Sequence, residues 1–242
     1  MPAQKFEPIY RTIKAEIESG QYKPGDFLPS ENYYASRFAC SRNTVRRALS
    51  VLTSEGYLLP QHCRGVQVIY QNRINRSIFS VGGIESLAEA ASRNDIKIRT
   101  KIIRFKKIIC DPETSLKTGF DTGTELFHII RLRILGKDPI ILDKNWFLAS
   151  EMPELTKEIA SDSIYKYLEE GLGMTITNSR RKVTAEASDE MDEKYLKLSN
   201  KHFVLCVSGQ VFNSRGVMFE YTQSRHDPDR VCFIESAVRQ KI

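Results

Sequence analysis

Basic and amide side chains occupy the first turn of a predicted helix. The run consists of Ser41, Arg42, Asn43 and Thr44. Arg is well suited to bind guanine in the major groove of DNA, and Asn is well suited to bind adenine. A recognition helix presents such residues to base edges from its first turn. Arg46 and Arg47 follow on the same helix, where they are better placed to bind phosphates. The spacing therefore predicts a helix that enters duplex DNA.

The elements around this helix decide between DNA binding and a simpler alternative. Two adjacent arginines on an amphipathic helix more often form only a solvated face. Here, however, Ser30 predicts the N-cap of a short helix that ends near residues 38–40, and Ser41 predicts the N-cap of the second helix. The second helix would bury one stripe made of Val45, Ala48, Leu49 and Leu52. Asn43 and Arg46 then point away from the core, as DNA binding requires.

A preceding helix and a hairpin complete a small N-terminal domain. The helix is indicated by apolar residues that recur every four positions, Ile9, Ile13 and Ile17. After the second helix, two short strands at residues 57–59 and 66–70 flank a turn that contains Arg64 and Gly65. Such a hairpin is a wing, and Arg64 at its tip could reach a minor groove or a phosphate. Gly65 would let the backbone turn tightly and approach the nucleic acid.

Three motifs of this region resemble the N-terminal domain of the GntR family of bacterial transcription regulators. They are Leu28-Pro29-Ser30-Glu31, Ser41-Arg42-Asn43-Thr44-Val45-Arg46 and Glu55-Gly56-Tyr57. The resemblance implies a winged helix-turn-helix that binds double-stranded operator DNA. The residues at the family's contact positions are Asn32, Ser41, Arg42, Asn43, Thr44, Arg46, Arg64 and Gly65. Many members carry Arg at the position of Asn32, where the contact is usually to phosphate.

Length and charge fit a DNA-binding domain joined to a larger second domain. The chain has 242 residues and a net charge of +6, and residues 1–77 contain 11 Lys and Arg against 6 Asp and Glu. This excess supports phosphate binding by the N-terminal part. Residues 71–77 follow neither the helical nor the strand period and indicate a linker. We therefore predict a DNA-binding domain at 1–70 and a second domain at 78–242.

The cysteines indicate free thiols. They are five in number and widely spaced, at Cys40, Cys63, Cys110, Cys206 and Cys232. No stretch resembles a signal peptide or a long apolar membrane span, so we expect a cytoplasmic protein that does not contact a membrane. No Cys pair has the spacing of a structural zinc site, and no Gly-rich phosphate loop is present. Neither a metal nor a cofactor is predicted.

Turn residues beyond the linker separate strands in a pattern typical of hairpins. The strand-like runs are 125–135, 140–148, 203–213 and 217–226. Lys97, Arg99 and Lys101 alternate with isoleucines, which predicts a further antiparallel strand. Helices are predicted at 86–92, 163–172 and 189–198, the last opened by Ser188. The pattern is α+β without a βαβ repeat.

One arginine pair of the second domain indicates an anion site. Arg131 and Arg133 are two residues apart in a predicted strand, so both side chains leave the same face. Their guanidinium groups can then converge on one anion. The alternative is that Ile130, Leu132 and Ile134 form the core side and both arginines simply face water.

Two further groups of residues could complete this site. Ser163 and Tyr165 lie at the start of a predicted helix, where free backbone amides receive phosphates. Ser163 could equally be an ordinary helix cap. Glu220, Tyr221 and Arg225 share a later strand, where a carboxylate and a phenol could bind sugar hydroxyls or could face solvent.

Residues 78–242 resemble the UTRA effector-binding domain of the HutC subfamily. The resemblance rests on Arg131-Leu132-Arg133, Ser163-Ile164-Tyr165, Glu220-Tyr221-Thr222 and Ser224-Arg225. It implies a chorismate lyase-like fold in which a six-stranded antiparallel sheet with flanking helices encloses an effector. In members that bind sugar phosphates, the residues that match the phosphate contacts are Ser86, Arg131, Arg133, Ser163 and Tyr165. The residues that match the sugar contacts are Glu220 and Asp143.

Four further stretches resemble the members of this subfamily that regulate trehalose operons in Gram-positive bacteria. They are residues 81–83, 141–144, 155–159 and 221–226. The resemblance implies a homodimeric repressor that leaves its operator when trehalose 6-phosphate binds. One alternative is a repressor that responds to another sugar phosphate, such as an amino sugar phosphate. An enzyme of chorismate lyase-like fold is disfavoured, because no nucleophile and base pair is identifiable and the DNA-binding domain would be unexplained.

Overall fold

The computed structural model describes residues 6–71, 77–80, 87, 91 and 97–234. The chain divides into two compact units, Met1–Gly82 with Phe233–Ile242, and Gly83–Cys232. Within residues 6–71 of the first unit, the described elements are helices α1 Glu7–Glu18, α2 Glu31–Arg37 and α3 Arg42–Ser54, followed by strands β1 Leu58–Gln61 and β2 Gly65–Val68. The strands pair antiparallel and form a hairpin.

Capping and apolar spacing explain the helices of the first unit. The Ser30 hydroxyl accepts a hydrogen bond from the Tyr33 backbone amide, and the Ser41 hydroxyl accepts one from the Thr44 amide. Both predicted N-caps are therefore confirmed. The predicted stripes of α1 and α3 are buried in one core, which contains Ile9, Ile13, Ile17, Val45, Ala48, Leu49 and Leu52. The winged helix-turn-helix expected from the sequence is confirmed.

The second unit is built on one antiparallel sheet. Its strands are β4 Ile98–Ile109, β5 Glu125–Leu135, β6 Asp138–Leu148, β7 Ile176–Ala187, β8 Phe203–Asn213 and β9 Met218–His226. They lie in the order β4-β5-β6-β9-β8-β7, and every neighbouring pair is antiparallel. β3, Ser77–Ser80, pairs with β10, Val231–Ile234, in a separate sheet. The six-stranded antiparallel sheet that the resemblance implied is confirmed.

Helical segments cover both faces of this sheet. They are α4 Pro112–Thr118, a 3-10 turn Ala149–Glu151, α5 Lys157–Ser161, α6 Ile164–Lys166 and α7 Glu190–Tyr195. The core on one face includes Ile129, Phe147, Ala160, Leu168 and Phe219. The core on the other face includes Ile130, Leu132, Leu142, Leu196 and Leu198. Because both faces are covered, most of β5 and β6 is buried.

Three helix predictions differ from the structure or lie outside it. The segment predicted as a helix at 163–172 is α-helical only in α6 and continues as a π-helical turn, Tyr167–Gly171. The helix predicted at 189–198 is the shorter α7, and its N-cap is Asp189, whose carboxylate accepts two backbone amides. Ser188 is therefore not the cap. The helix predicted at 86–92 lies outside the described residues, except for Leu87 and Ala91, which are helical.

The helices α4 and α5, the strand β7 and the short strands β3 and β10 were not predicted from the sequence. The rest of the strand pattern agrees with the prediction, including the hairpins between β5 and β6 and between β8 and β9. Over the described parts of the chain, every helix is too short or too polar to cross a membrane.

Candidate DNA interface and candidate effector site

The first turn of α3 presents the predicted base-contacting side chains at the surface. Arg42 and Asn43 are exposed, while Thr44 is half-buried. The Ser41 and Thr44 hydroxyl oxygens lie 2.9 Å apart and share a hydrogen bond. Ser41 also caps the helix, so its position is fixed by the local backbone. The arginine and the asparagine are therefore the two long polar side chains of this turn that point into solvent.

Glu31 holds two arginines of α3 in place. Its carboxylate accepts hydrogen bonds from Arg46 Nε at 3.1 Å and Nη2 at 2.9 Å, and from Arg42 Nη2 at 3.4 Å. The hydrogen bond from Arg46 is the main reason that the pKa of Glu31 lies below its usual value. The sequence interpretation named Glu31 only as part of a family motif. It missed this contact because the two helices come together only in the folded chain.

The remaining predicted DNA-binding residues also lie on the surface of this unit. Asn32 is exposed on α2, and Arg47 is exposed with its guanidinium 4.6 Å from the centre of the Phe6 ring. At the wing tip, Arg64 lies 5.7 Å from the centre of the Phe27 ring. Gly65 has a φ of +105°, a conformation that L side chains rarely adopt, which explains a glycine at this turn.

The two arginines of β5 lie inside the second unit. Arg131 and Arg133 are each 7% exposed, so the alternative in which both face water is wrong. The Arg133 Nε donates to Asp143 Oδ2 at 2.8 Å, and its Nη1 donates to the Thr100 hydroxyl at 2.7 Å. The Ser224 hydroxyl donates to the other oxygen of Asp143 at 2.6 Å. Arg133 and Asp143 thus form a buried ion pair whose hydrogen-bonding groups are well supplied with partners.

Arg131 is linked to a second carboxylate through an amide. Its Nη2 donates to Asn145 Oδ1 at 3.0 Å, and Asn145 Nδ2 donates to Glu220 Oε1 at 2.9 Å. The Tyr165 hydroxyl donates to Glu220 Oε2 at 2.8 Å. We call the six residues Arg131, Arg133, Asp143, Asn145, Tyr165 and Glu220 the buried arginine cluster. It comes from three neighbouring strands and α6, which bring together five of the sequence-predicted residues.

The two carboxylates of the cluster differ in charge. Burial raises the pKa of Glu220 to about 7, although the Tyr165 hydroxyl and the charge of Arg131 act in the opposite direction. Burial also acts to raise the pKa of Asp143, but Arg133 and Arg131 outweigh it and the pKa is lowered. Burial, followed by the charge of Arg133, lowers the pKa of Arg131 to about 10. Arg131 and Asp143 are therefore charged at neutral pH, whereas Glu220 is only partly ionised.

Two predicted contacts need separate comment. Ser163 is half-buried and caps α6, and its hydroxyl oxygen accepts a hydrogen bond from the Lys166 backbone amide. Ser163 lies two residues before Tyr165 of the cluster. An ordinary cap and a phosphate contact remain compatible with this position, because a hydroxyl oxygen has a second lone pair and a proton. Ser86, the other predicted phosphate contact, lies outside the described residues.

Tyr221 and Arg225 lie on the opposite face of the sheet. Tyr221 packs near Trp146, with ring centres 5.8 Å apart. Arg225 is buried, and its guanidinium donates to Asp192, to Glu186 and to the carbonyl oxygen of Ala187. The structure does not bring either residue to the buried arginine cluster, because neighbouring residues of a strand point to opposite faces.

Sequence reasoning missed Asn145 and Thr100. A signal for Asn145 was present, since the predicted hairpin of β5 and β6 pairs Arg131 with Asp143 and so places residues 143 and 145 on one face. The contact from Thr100 could not be found this way, because β4 is separated from β5 by α4 and no turn fixes its register.

A cavity of about 710 Å³ adjoins the cluster at the β4 edge of the sheet. Arg133 and Thr100 line it, together with Ser161 and Asp162 at the end of α5. The volume lies in the range of small-molecule sites in proteins. In the parts of the chain that the structure describes, no three His, Cys, Asp or Glu residues form a group that could hold a metal ion.

The two units match two known family profiles. The profile of bacterial regulatory proteins of the gntR family matches residues 5–68, and the UTRA domain profile matches residues 93–231. The chain belongs to the gntR family of bacterial regulatory proteins and has the HutC-like architecture, a helix-turn-helix domain combined with a UTRA domain.

The chain is also similar to individual regulators in sequence and in fold. The HTH-type transcriptional regulator TreR of Bacillus subtilis is 33% identical over 244 residues, which cover 100% of each chain. The effector binding domain of the B. subtilis trehalose repressor TreR is 30% identical, with a TM-score of 0.54, and covers 59% of this chain and 99% of that chain. The possible transcriptional regulator YydK from B. subtilis shares the fold, with a TM-score of 0.76, 22% identity and coverage of 97% and 99%.

Proposed function

We propose that the protein is a repressor that binds a palindromic operator as a homodimer and leaves it when trehalose 6-phosphate binds in the second unit. The observation that supports this most directly is the surplus of buried positive charge at Arg131 and Arg133. Burying a charge is costly unless a partner compensates for it, so a buried site with surplus positive charge is suited to an anionic ligand.

The charges of the buried arginine cluster favour one anionic group on a neutral sugar. Arg131 and Arg133 carry two positive charges, and Asp143 balances one of them. Glu220, with a pKa of about 7, adds only part of a negative charge and can donate as well as accept a hydrogen bond. One phosphate would neutralise the remaining positive charge, and Glu220 would bind sugar hydroxyls.

An amino sugar phosphate is the second candidate, and the cluster fits it less well. Its ammonium group would need an unengaged carboxylate, whereas Asp143 is paired with Arg133 and Glu220 is partly neutral. The solved effector binding domain at 30% identity belongs to a trehalose repressor, which also supports trehalose as the sugar.

The first unit supports operator binding through α3. Arg42 and Asn43 are exposed in its first turn, as base readout requires, and Arg46, Arg47, Asn32 and the wing residues Arg64 and Gly65 are exposed around it. A dimer would read two half-sites about 34 Å apart. An effector that changes the arrangement of the two DNA-binding domains through residues 71–77 would then abolish tight binding.

This proposal can be tested by mobility-shift assays, with an operator sequence obtained by in vitro selection. Trehalose 6-phosphate should release the protein from the operator, and free trehalose should not, because it lacks the anion. Glucosamine 6-phosphate serves as the competing candidate. Equal release by trehalose and its phosphate would contradict a phosphate site, and release by the amino sugar phosphate alone would replace the proposed effector.

Two variants separate the two sites. Arg42→Ala should weaken operator binding by about 10- to 100-fold and reduce discrimination against mismatched DNA, since a bidentate base contact contributes about 1–3 kcal/mol.

Arg131→Lys keeps the charge but loses the planar fork of the guanidinium group. This variant should bind the operator normally and respond poorly to the sugar phosphate. An Arg131→Lys protein with a normal response would contradict the assignment of Arg131.

A further inference from the structure

The cavity beside Arg133 has a basic rim. Lys97, Arg99 and Lys101 are exposed residues of the β4 segment and line this cavity together with Arg133. We call Lys97, Arg99 and Lys101 the basic rim. Among the described residues that line the cavity, the one carboxylate is Asp162. The residues that line the cavity therefore carry an excess of positive charge.

The position of the rim suits long-range attraction better than direct contact. Thr100 pairs with Arg133 and faces the cluster, so the alternation of the strand directs its neighbours Arg99 and Lys101 away from that face. Arg99 Nη2 instead donates to the carbonyl oxygen of Gly136 at 3.4 Å. Attraction of an ion needs only charges within about one Debye length, roughly 8 Å at physiological ionic strength.

We infer that the basic rim draws the phosphate of the effector to this cavity and sets the rate at which the effector reaches Arg133. The inference rests on the proposed function, in which the effector is a phosphorylated sugar. A cleft lined by charges of one sign raises the local concentration of oppositely charged ligands and their association rate by roughly 10-fold or more. The rim would thus select anionic sugars over neutral ones before any sugar hydroxyl is bound.

The same strand supplies a matched control. Its second half carries three more exposed cations, Arg104, Lys106 and Lys107. A strand rises about 3.4 Å per residue, so Lys106 lies about 20 Å along β4 from Thr100, beyond the Debye length. Charged side chains on an edge strand also prevent edge-to-edge aggregation. That role would apply to both halves of β4, whereas attraction to the cavity applies only to the rim.

The experiment compares two triple variants that lose the same charge. One is Lys97→Gln, Arg99→Gln, Lys101→Gln, and the other is Arg104→Gln, Lys106→Gln, Lys107→Gln. The dissociation rate of trehalose 6-phosphate is measured from ³¹P NMR line shapes and the dissociation constant by calorimetry, which together give the association rate. Both are measured in 150 mM and 500 mM salt, with inorganic phosphate as a second probe and the melting temperature as a check of folding.

The rim variant should associate about 5- to 10-fold more slowly than the wild-type protein in 150 mM salt, with its dissociation rate changed by less than about twofold. In 500 mM salt the difference should vanish, and the control variant should match the wild type within about twofold. An unchanged association rate of the rim variant, or an equal loss in both variants, would overturn the inference.

The probes also separate this inference from the proposed function. In one outcome, inorganic phosphate associates in a rim-dependent way while trehalose 6-phosphate does not bind. That result would support the role of the basic rim in attracting anions and would overturn the proposed effector. Binding of trehalose 6-phosphate with no dependence on the rim would support the effector and overturn the inference. Failure of the wild-type protein to bind either compound would overturn both.

Discussion

Two pairs of arginines, one in each unit, are held in opposite ways. On α3, the side chains of Arg42 and Arg46 are 61% and 59% exposed and share the carboxylate of Glu31. On β5, Arg131 and Arg133 are buried, and each has its own partner, Asn145 and Asp143. Both pairs present guanidinium groups that can bind phosphates, but only those of the second pair are buried.

The difference shows how each pair can exchange its partner. An exposed ion pair contributes about 0–1 kcal/mol and is screened by salt, so Glu31 can be replaced by a DNA phosphate at little cost. A buried ion pair is desolvated, and removal of one partner leaves an uncompensated charge. The α3 pair is thus suited to reversible contact with a polymer, and the β5 pair to a preorganised site for one small anion.

The largest expected effect comes from removing a carboxylate partner in each unit. Asp143→Ala should lower the free energy of unfolding of the second unit by about 3–5 kcal/mol, because Arg133 stays buried without its counter-ion beside Arg131. Glu31→Ala should change the stability of the first unit by about 1 kcal/mol or less. Urea unfolding followed by circular dichroism measures both. Similar losses in the two variants would remove the distinction between the pairs.

The pH dependence of stability sharpens the description of the buried pair. The pKa of Glu220 is raised from 4.5 to about 7. The folded chain therefore binds more protons at this group than the unfolded chain between these values, and its contribution to stability falls as the pH rises from about 4.5 to 7. Relative to wild type, Glu220→Gln should gain stability over this range, by up to about 3 kcal/mol.

Other buried groups act in the same pH range, which is why the variant is needed. Burial lowers the pKa of His128 and of His226 to about 4. Unlike Glu220, these histidines contribute stability that increases as the pH rises from about 4 to 6.5, since the unfolded chain binds the protons. Subtracting the wild-type curve from that of Glu220→Gln leaves the glutamate contribution. A difference that stays constant from pH 5 to 7.5 would contradict the raised pKa.

A smaller effect is expected on DNA binding when Glu31 loses its charge. Glu31→Gln removes a negative charge that competes with phosphates for Arg42 and Arg46. Binding to unrelated duplex DNA should strengthen by several-fold in low salt, and the ratio of operator to unrelated binding should fall. Filter binding at several salt concentrations measures both. Weaker binding to unrelated DNA would show that Glu31 mainly positions the arginines rather than competing with DNA.

The smallest expected effect lies in the turn between α2 and α3. Ala39 has a φ of +47°, in the left-handed region that favours glycine, whereas β5 holds its arginines on regular extended backbone. Ala39→Gly should therefore stabilise the first unit by about 0.5–1 kcal/mol. Ala35→Gly, inside α2, should destabilise it by about 1 kcal/mol. Thermal unfolding of both variants provides the comparison, and destabilisation by Ala39→Gly would contradict backbone strain at this turn.

Local signals in the sequence predicted the first unit well. Ser30 and Ser41 are caps, and the isoleucines of α1 and the stripe of α3 are buried as their spacing indicates. These features are local, so one segment of the sequence contains all the information. The second unit was less predictable. β7 has an edge position and a polar composition that hides the strand period, and α6 ends in a π-helical turn whose hydrogen bonds depend on packing.

The candidate effector site shows the same limit. The spacing of Arg131 and Arg133 placed both on one face, and the family motif added Tyr165 and Glu220, which lie in the same cluster. Their burial could not be predicted, because it depends on α5 and α6 covering that face. Tyr221 and Arg225 lie on the same strand as Glu220, yet strand alternation and the register of β9 place them on the other side.

The aligned register of the sheet has an evolutionary consequence. Arg131 lies opposite Asp143, and Asp143 lies opposite Ser224, across three strands. Inserting or deleting one residue within β6 would turn every side chain after it to the other side, so length changes there would destroy recognition at once. New sugar preferences among such regulators should therefore arise by single substitutions at inward-facing strand positions, while the β5–β6 turn remains free to vary in length.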